Sequence, residues 1–136
     1  MKKILILFTI LFIISGFIWF YVFHKPKPNY KKATPDYTVT AEQLYKEYTS
    51  GNGNKFTGKV VAVSGIADNI EIGDSVITVV FVFNEGMFGD EGIRCSFLSE
   101  YNSNLKNIKF PARIHFKGFC AGYNESDVII EYCSLY

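Results

Sequence analysis

The sequence is poor in the residues from which metal and redox sites are built. It has three cysteines, Cys95, Cys120 and Cys133, and two histidines, His24 and His115, in 136 residues. The cysteines are too scattered for a structural zinc site, they form no C-x-x-C redox pair, and neither histidine has a partner at ligand spacing. We therefore predict no metal site and no cofactor.

Arginine is equally scarce, with only Arg94 and Arg113. Metal-dependent nucleases on small β domains need a carboxylate cluster with arginines beside it to stabilise phosphoryl charge. Asp68, Glu71 and Asp74 are close together in the sequence and could bind a cation, but carboxylates also favour solvated turns. No Ser, His and Asp set has a recognisable context. We predict that the protein is not an enzyme.

The charge is divided unequally along the chain. Residues 1–36 carry six lysines and one aspartate, a net charge of +5, whereas residues 37–136 carry eight basic and twelve acidic residues, a net charge of −4. Because Lys and Arg supply most of the affinity for nucleic acids, the acidic domain disfavours a nucleic-acid partner.

Long hydrophobic runs are absent except at residues 4–23, which contain no charged side chain. At about 1.5 Å per residue this run spans the roughly 30 Å core of a bilayer. Trp19 and Tyr21 suit the aromatic belt of a membrane interface. No A-x-A-like cleavage site follows and no nearby cysteine could accept a lipid, so we expect residues 1–23 to be an uncleaved signal-anchor, although cleavage stays open.

We place this anchor in the inner (cytoplasmic) membrane as a single pass. A short N-terminus with Lys2 and Lys3 usually stays in the cytoplasm, which puts the domain on the outer side, although the lysines that follow the segment partly balance them. Residues 24–37 hold three of the four prolines and are predicted to be a linker. Its lysines could touch anionic lipid head groups, with a solvated linker as the alternative.

Residues 38–136 have the pattern of a small β domain. Thr40 as N-cap, with Gln43 three residues later, predicts a short amphipathic helix over 40–48. Five β-branched and aromatic runs follow, and a polar insert at 101–109 separates the third from the fourth. We predict an all-β domain with minor α, a five-stranded OB-fold barrel preceded by one short helix. The predicted strands are 55–72, bent at Gly65, 75–83, 92–99, 112–119 and 127–135.

Several stretches resemble one family. AEQLYKEY, FTGKVVAVSGIADNI, IRCSF, HFKGFCAGY and DVIIEYCSLY, within residues 40–136, are similar to the tRNA_anti-like family of small bacterial OB-fold proteins. The junction TSGNGNKFTG is shorter than is common there, so the helix is expected to be truncated. The resemblance implies an OB fold much more firmly than it implies an activity.

Strand parity predicts which side chains face inward. Ile93, Cys95 and Phe97 share one face of the third strand, and Ile114, Phe116, Gly118 and Cys120 share one face of the fourth. In an OB barrel the start of the third strand and the end of the fourth lie at the same end. We therefore predict a Cys95–Cys120 disulfide with Cys133 as a free thiol, while a Cys120–Cys133 link or reduced thiols stay open.

The predicted binding surface follows the face of the second and third strands. With Ile77, Val79, Phe81 and Phe83 inward, the outward set is Val76, Thr78, Val80 and Val82. The candidate ligand-binding residues are Thr78, Arg94, Ser96, Tyr123 and Asn124, on the two strands and at the last turn.

This surface is apolar with one positive charge, whereas sites for single-stranded nucleic acid combine aromatic platforms with several cations. The row Arg113, His115 and Lys117 is interpreted as a solvent face. The favoured hypothesis is a membrane-anchored, non-catalytic binding or scaffolding module of the bacterial cell envelope, whose unknown ligand is a protein, peptide or glycan. The alternatives are a single-stranded nucleic-acid-binding OB-fold protein and, third, a metal-dependent hydrolase.

Overall fold

The structure, a computed structural model, describes residues 1–24 and 30–136. Helix α1, Lys2–Phe23, contains an 18-residue stretch with a mean hydropathy of 2.5 and is exposed along its whole length. It is therefore long and apolar enough to cross a membrane, a property that a signal sequence near the N-terminus shares.

Helix α2, Ala41–Thr49, begins as the sequence predicts. Thr40 is the N-cap, and its Oγ1 accepts a hydrogen bond of 3.2 Å from the backbone N–H of Gln43. Ala41, Leu44 and Tyr48 form the buried stripe of this helix. The helix thereby covers one end of the β domain with its apolar side.

Seven strands lie in the described residues, two more than predicted. They form one sheet in the order β1-β2-β6-β7-β5-β4-β3, with β5–β7 and β1–β2 parallel and all other pairs antiparallel. The strands are β1 Tyr37–Thr40, β2 Val60–Ala67, β3 Asn69–Ile72, β4 Val76–Gly86, β5 Gly89–Leu98, β6 Ala112–Tyr123 and β7 Asp127–Leu135.

The predicted closed five-stranded barrel is not confirmed, because the sheet is open. If β1 is set aside, β2 and β3 are the two edge strands of the sheet. Along the chain they are consecutive, and only Asp68 separates them. The two ends of the sheet must therefore come close, and the sheet coils strongly, but β2 and β3 do not pair with each other.

The first predicted strand, 55–72, is thus two strands, and the break is not at Gly65. Gly65 pairs regularly with Ile114, without a bulge. A Cβ at Gly65 would lie 2.8 Å from Cβ of Ala41 and 3.2 Å from Cε1 of Phe81. Gly65 therefore does not bend the strand. It allows Ala41 of α2 and Phe81 of the core to pack closely against the backbone.

The core lies between the sheet and α2. Ile93, Cys95, Phe97, Ile114, Phe116 and Cys120 are buried as predicted. One prediction on β4 is wrong: Phe83, expected inward, is 37% exposed with its ring stacked on Tyr45 at 5.3 Å. Val80, predicted outward, lies opposite Arg94 and outside the core cluster, although it is only 4% exposed. Past Val82 the β4–β5 register shifts, so alternation no longer decides which face is inner.

Residues 30–36, assigned to the linker from the sequence, lie against the domain. The ring of Tyr30 stacks on that of Phe119 at 6.0 Å. Further along, the backbone N–H of Val60 donates to the Asp36 carboxylate at 3.0 Å. The remaining predicted linker positions 25–29 lie outside the described residues. The polar insert forms a short 3₁₀ helix, Ser103–Asn107, that buries Leu105.

Candidate binding surfaces

Three of the five predicted binding residues come together on the outer face of β4 and β5. Thr78 is the register partner of Ser96, and Val80 is that of Arg94. All three predicted side chains are partly exposed. Whether they contact a ligand stays a prediction.

Arg94 is held by two carboxylates. Its Nη1 lies 3.2 Å from Glu71 Oε1, and its Nε lies 3.2 Å from Asp127 Oδ2. Burial alone would lower the pKa of Arg94, but the hydrogen bonds to Glu71 and Asp127 raise it overall. The positive charge expected to face a ligand is therefore already neutralised within the protein.

The other two predicted residues, Tyr123 and Asn124, lie at the turn between β6 and β7. Oδ1 of Asn124 accepts hydrogen bonds from the backbone N–H groups of Ser126, at 3.1 Å, and Asp127, at 2.7 Å, as in an Asx-turn. The Tyr123 hydroxyl donates to the Glu125 carbonyl at 3.0 Å. Both side chains are thus used to build the turn.

Two of the three carboxylates considered for a cation, Asp68 and Glu71, have separate structural roles. Oδ2 of Asp68 accepts a 2.7 Å hydrogen bond from the backbone N–H of Val82, whereas Glu71 pairs with Arg94. In residues 1–24 and 30–136, no group of three or more His, Cys, Asp or Glu side chains has the arrangement of a metal site.

The hairpin between β4 and β5 ends in an exposed apolar tip. Gly86 and Gly89 pair across the turn, and Gly89 has a φ of 132°, a conformation that favours glycine. Between them Met87 is 92% exposed and Phe88 is 100% exposed. We call Met87 and Phe88 the hairpin tip.

Acidic residues follow the tip on both strands. Glu85 and Asp90 are register partners just below it, and Glu91 follows on β5. The strands predicted at 75–83 and 92–99 leave residues 84–91 unassigned, although the spacing G-M-F-G between acidic flanks already indicates a tight hairpin turn.

A cavity of about 180 Å³ with a mixed polar and apolar lining lies beside β7 on another part of the surface. An adjoining, more apolar cavity of about 230 Å³ shares Leu98 and Tyr132 with it. We call the first the β7 cavity; its lining residues are Lys31, Leu98, Tyr101, Asn102, Tyr132, Cys133 and Ser134.

Tyr132 stands between these two cavities in a backbone conformation that tyrosine rarely adopts. Its φ is 52°, and the ladders of β7 with both β5 and β6 shift register beside it. Such a bulge in the middle of a strand redirects the side chain, and strain of this kind is concentrated at functional sites.

The expected basic row on β6 is interrupted. Arg113 and His115 are exposed, but Lys117 is only 8% exposed. Nζ of Lys117 donates to the Ala33 carbonyl at 2.9 Å and lies 5.0 Å from the ring centre of Tyr136. Strand parity correctly placed Lys117 on the same outward face as Arg113 and His115. At Lys117, however, this face is covered by Ala33 and by Tyr136.

The predicted Cys95–Cys120 disulfide is not formed, because Cys95, Cys120 and Cys133 are all free, buried thiols. Cys95 and Cys120 both pair with Ile130, which lies between them on β7. They are thus separated by two strand spacings, about 9.6 Å between Cα atoms, whereas disulfides need less than about 7 Å. Cys133, predicted to be a free thiol, lies on β7, the strand next to that of Cys95.

Two of the buried thiols have polar partners. Burial raises the pKa of Cys95, and the nearby Cys133 thiol raises it further, while Sγ of Cys133 donates to the Ile130 carbonyl at 3.5 Å. Sγ of Cys120 lies 3.1 Å from the hydroxyl of Tyr48, which is also 2.8 Å from Oγ1 of Thr57. Burial likewise raises the pKa of Tyr48.

Comparisons with known proteins agree on the fold. The model of the tRNA_anti-like family matches residues 1–134. A solved structure, described as a "putative nucleic acid-binding lipoprotein" from Klebsiella pneumoniae subsp. pneumoniae MGH 78578, superposes with a TM-score of 0.54 at 15% identity, covering 82% of this chain and 99% of that one. No curated protein matches the chain.

Proposed function

Because the chain belongs to the tRNA_anti-like family, which is OB-fold-like, we propose that it is a membrane-anchored, non-catalytic OB-fold module of the cell envelope that binds a partner protein. Helix α1 is the anchor in the inner membrane. Lys2 and Lys3 keep the N-terminus in the cytoplasm, so the domain lies on the outer side.

The observation that carries the proposal is the hairpin tip. At the end of the two-stranded arm of β4 and β5, Met87 exposes a flexible apolar side chain and Phe88 exposes an aromatic one. Aromatic residues that enter a pocket of a partner dominate the energetics of many protein interfaces. The tip therefore has the form of an anchor for a complementary pocket.

The charges below the tip favour a protein over a lipid surface. Glu85, Asp90 and Glu91 would be repelled by anionic head groups if the tip entered the bilayer. They instead complement a pocket with a basic rim, which would speed association and set its orientation. A glycan carries no basic side chains to form such a rim, and a short peptide cannot surround the tip with a pocket as a folded protein can.

The test uses the full-length protein in cells that express it, with a photo-crosslinking amino acid at position 88. The control position is Ile72, which is apolar, 56% exposed and on β3. We expect a protein adduct of one discrete mass from position 88, none from position 72, and loss of the adduct in Asp90→Lys. Equal patterns at both positions, or only lipid adducts, would overturn the proposal.

A second candidate is binding of single-stranded nucleic acid, which the name of the structurally similar Klebsiella protein suggests. In this chain the paired Arg94 and the covered Lys117 remove two of the cations that such a role would use. Binding of an oligonucleotide that weakens by about 10³ or more between roughly 50 and 200 mM salt would support this candidate. No binding at the lower salt would exclude it.

A further inference from the structure

We propose that the β7 cavity binds the phosphate group of an anionic membrane lipid. The proposal rests on the membrane anchoring proposed above but is independent of the hairpin tip. The lining residues are Lys31, Tyr101, Asn102, Tyr132 and Ser134, with Leu98 and Cys133 completing the wall.

The lining has the chemistry of an anion site. Lys31, Tyr101, Tyr132 and Ser134 all carry hydrogen-bond donors, and no carboxylate lines the cavity. Phosphate oxygens are acceptors that favour a cation and several donors. The remainder of the domain is acidic, so a surface cavity lined by a lysine and hydroxyl groups, without a carboxylate, is a distinct electrostatic environment.

Asn102 holds the wall of the cavity in place. It is 4% exposed, and its Nδ2 donates to the Leu98 carbonyl at 3.1 Å and to the Cys133 carbonyl at 3.5 Å. These bonds fix the loop that carries Tyr101 against β7. The volume of about 180 Å³ is several times the roughly 30 Å³ of a water molecule, which leaves room for a phosphodiester.

The short segment between helix α1 and Lys31 determines which phosphate groups lie close to the cavity. Lys31 follows the last residue of α1, Phe23, by eight positions, so their Cα atoms are at most about 28 Å apart. The head-group layer begins where the apolar helix ends. A cavity lined by Lys31 is thus confined near lipid phosphates at high local concentration.

Two further features suit a lipid interface. Lys25, Lys27 and Lys32 add positive charge in the sequence beside Lys31, and such clusters attract anionic lipids. Tyr101, 61% exposed, and Tyr132 place amphipathic rings on the cavity, the residue type enriched at membrane surfaces. The strained backbone at Tyr132 directs one of these rings, which connects the bulge in β7 with ligand binding.

The experiment uses the full chain in lipid nanodiscs, with a photo-crosslinking amino acid in place of Tyr101 and lipid adducts detected by mass spectrometry. Nanodiscs of phosphatidylcholine alone are compared with nanodiscs that also contain phosphatidylglycerol. We expect phosphatidylglycerol adducts in preference to phosphatidylcholine adducts. Lys31→Gln should lower this preference about fivefold, the factor expected from one lysine at an anionic surface, and the exposed-helix control Lys46→Gln should leave it unchanged.

Each other outcome counts against the proposal. Equal labelling of both lipids, or an unchanged preference in Lys31→Gln, would overturn it. Binding of inorganic phosphate that is lost in Lys31→Gln, with a lipid preference that is the same in the wild type and in Lys31→Gln, would show that free phosphate is the ligand and overturn the lipid assignment. Extraction of the wild-type protein from membranes by alkaline carbonate would show that the anchor itself fails, which is distinguishable from loss of lipid preference in a retained protein.

Discussion

Nε of Arg94 on β5 lies 3.2 Å from the carboxylate of Asp127 at the first position of β7. The other oxygen of Asp127 accepts a 3.0 Å hydrogen bond from the backbone N–H of Gly92. The Asp127 carboxylate therefore joins the parallel strands β5 and β7. It also pairs with the positive charge of Arg94, which was predicted from the sequence to contact a ligand.

Asp127→Ala should destabilise the domain by about 1.5 to 3 kcal/mol, because it removes two hydrogen bonds made by a largely buried charge. The matched change Glu71→Ala breaks the other ion pair of Arg94, but the Glu71 side chain is 62% exposed and the loss should stay below about 1 kcal/mol. Urea unfolding followed by circular dichroism measures both. Equal losses would contradict the assigned role of Asp127.

Tyr48→Phe should cost about 1 kcal/mol at neutral pH, because it removes the hydroxyl that bonds Thr57 and Cys120. It should also change the response to alkali. Burial raises the pKa of Tyr48 in the folded state above its ordinary value of about 10, so the folded protein favours the neutral phenol. This stabilisation is present below pH 10 and is lost as the pH rises above that value.

The wild type should therefore lose stability more steeply than Tyr48→Phe when urea unfolding is repeated at increasing pH above about 10. Tyr101→Phe, which removes the hydroxyl of a tyrosine that is 61% exposed, serves as the control and should follow the wild type. Parallel pH profiles for the wild type and Tyr48→Phe would refute the assigned burial of the phenol.

Lys117→Ala should release the segment at residues 30–36 from the domain. The variant loses the 2.9 Å hydrogen bond from Nζ to the Ala33 carbonyl and the contact with the Tyr136 ring. Trypsin should then cleave after Lys31 or Lys32 about tenfold faster, because local opening costs less free energy. Arg113→Ala, an exposed change on the same strand, should not alter the rate, and acceleration by both variants alike would argue against this contact.

Local patterns predicted much of this fold because the forces that decide them act within a few residues. The N-cap Thr40 with Gln43 and the fifth predicted strand, 127–135, agree with α2 and β7 as observed. Parity placed Cys95 and Phe116 in the core correctly. These features depend on turn chemistry and on a period of two, which the sequence displays directly.

The errors come from contacts between distant parts of the chain. Parity cannot tell that Ala33 covers Lys117, because 84 positions separate them. The break at Asp68 rather than Gly65 depends on β4, since Asp68 accepts a hydrogen bond from Val82. The β7 cavity was missed for the same reason, since a cavity is a property of the folded chain, whereas the hairpin turn at Met87 and Phe88 has a local signal in its flanking glycines.

The cysteines allow a last test of strand order. When the protein refolds with oxidised glutathione, an intramolecular disulfide should join Cys95 to Cys133, because these thiols lie on the adjacent strands β5 and β7 and are close enough for Cys133 to raise the pKa of Cys95. Peptide mapping without reduction identifies the linked pair. Cys120→Ala should retain the link and Cys133→Ala should lose it. A link between Cys95 and Cys120 would mean that β7 does not lie between β5 and β6 as the sheet order requires. No link in the wild type would contradict the close approach of Cys95 and Cys133.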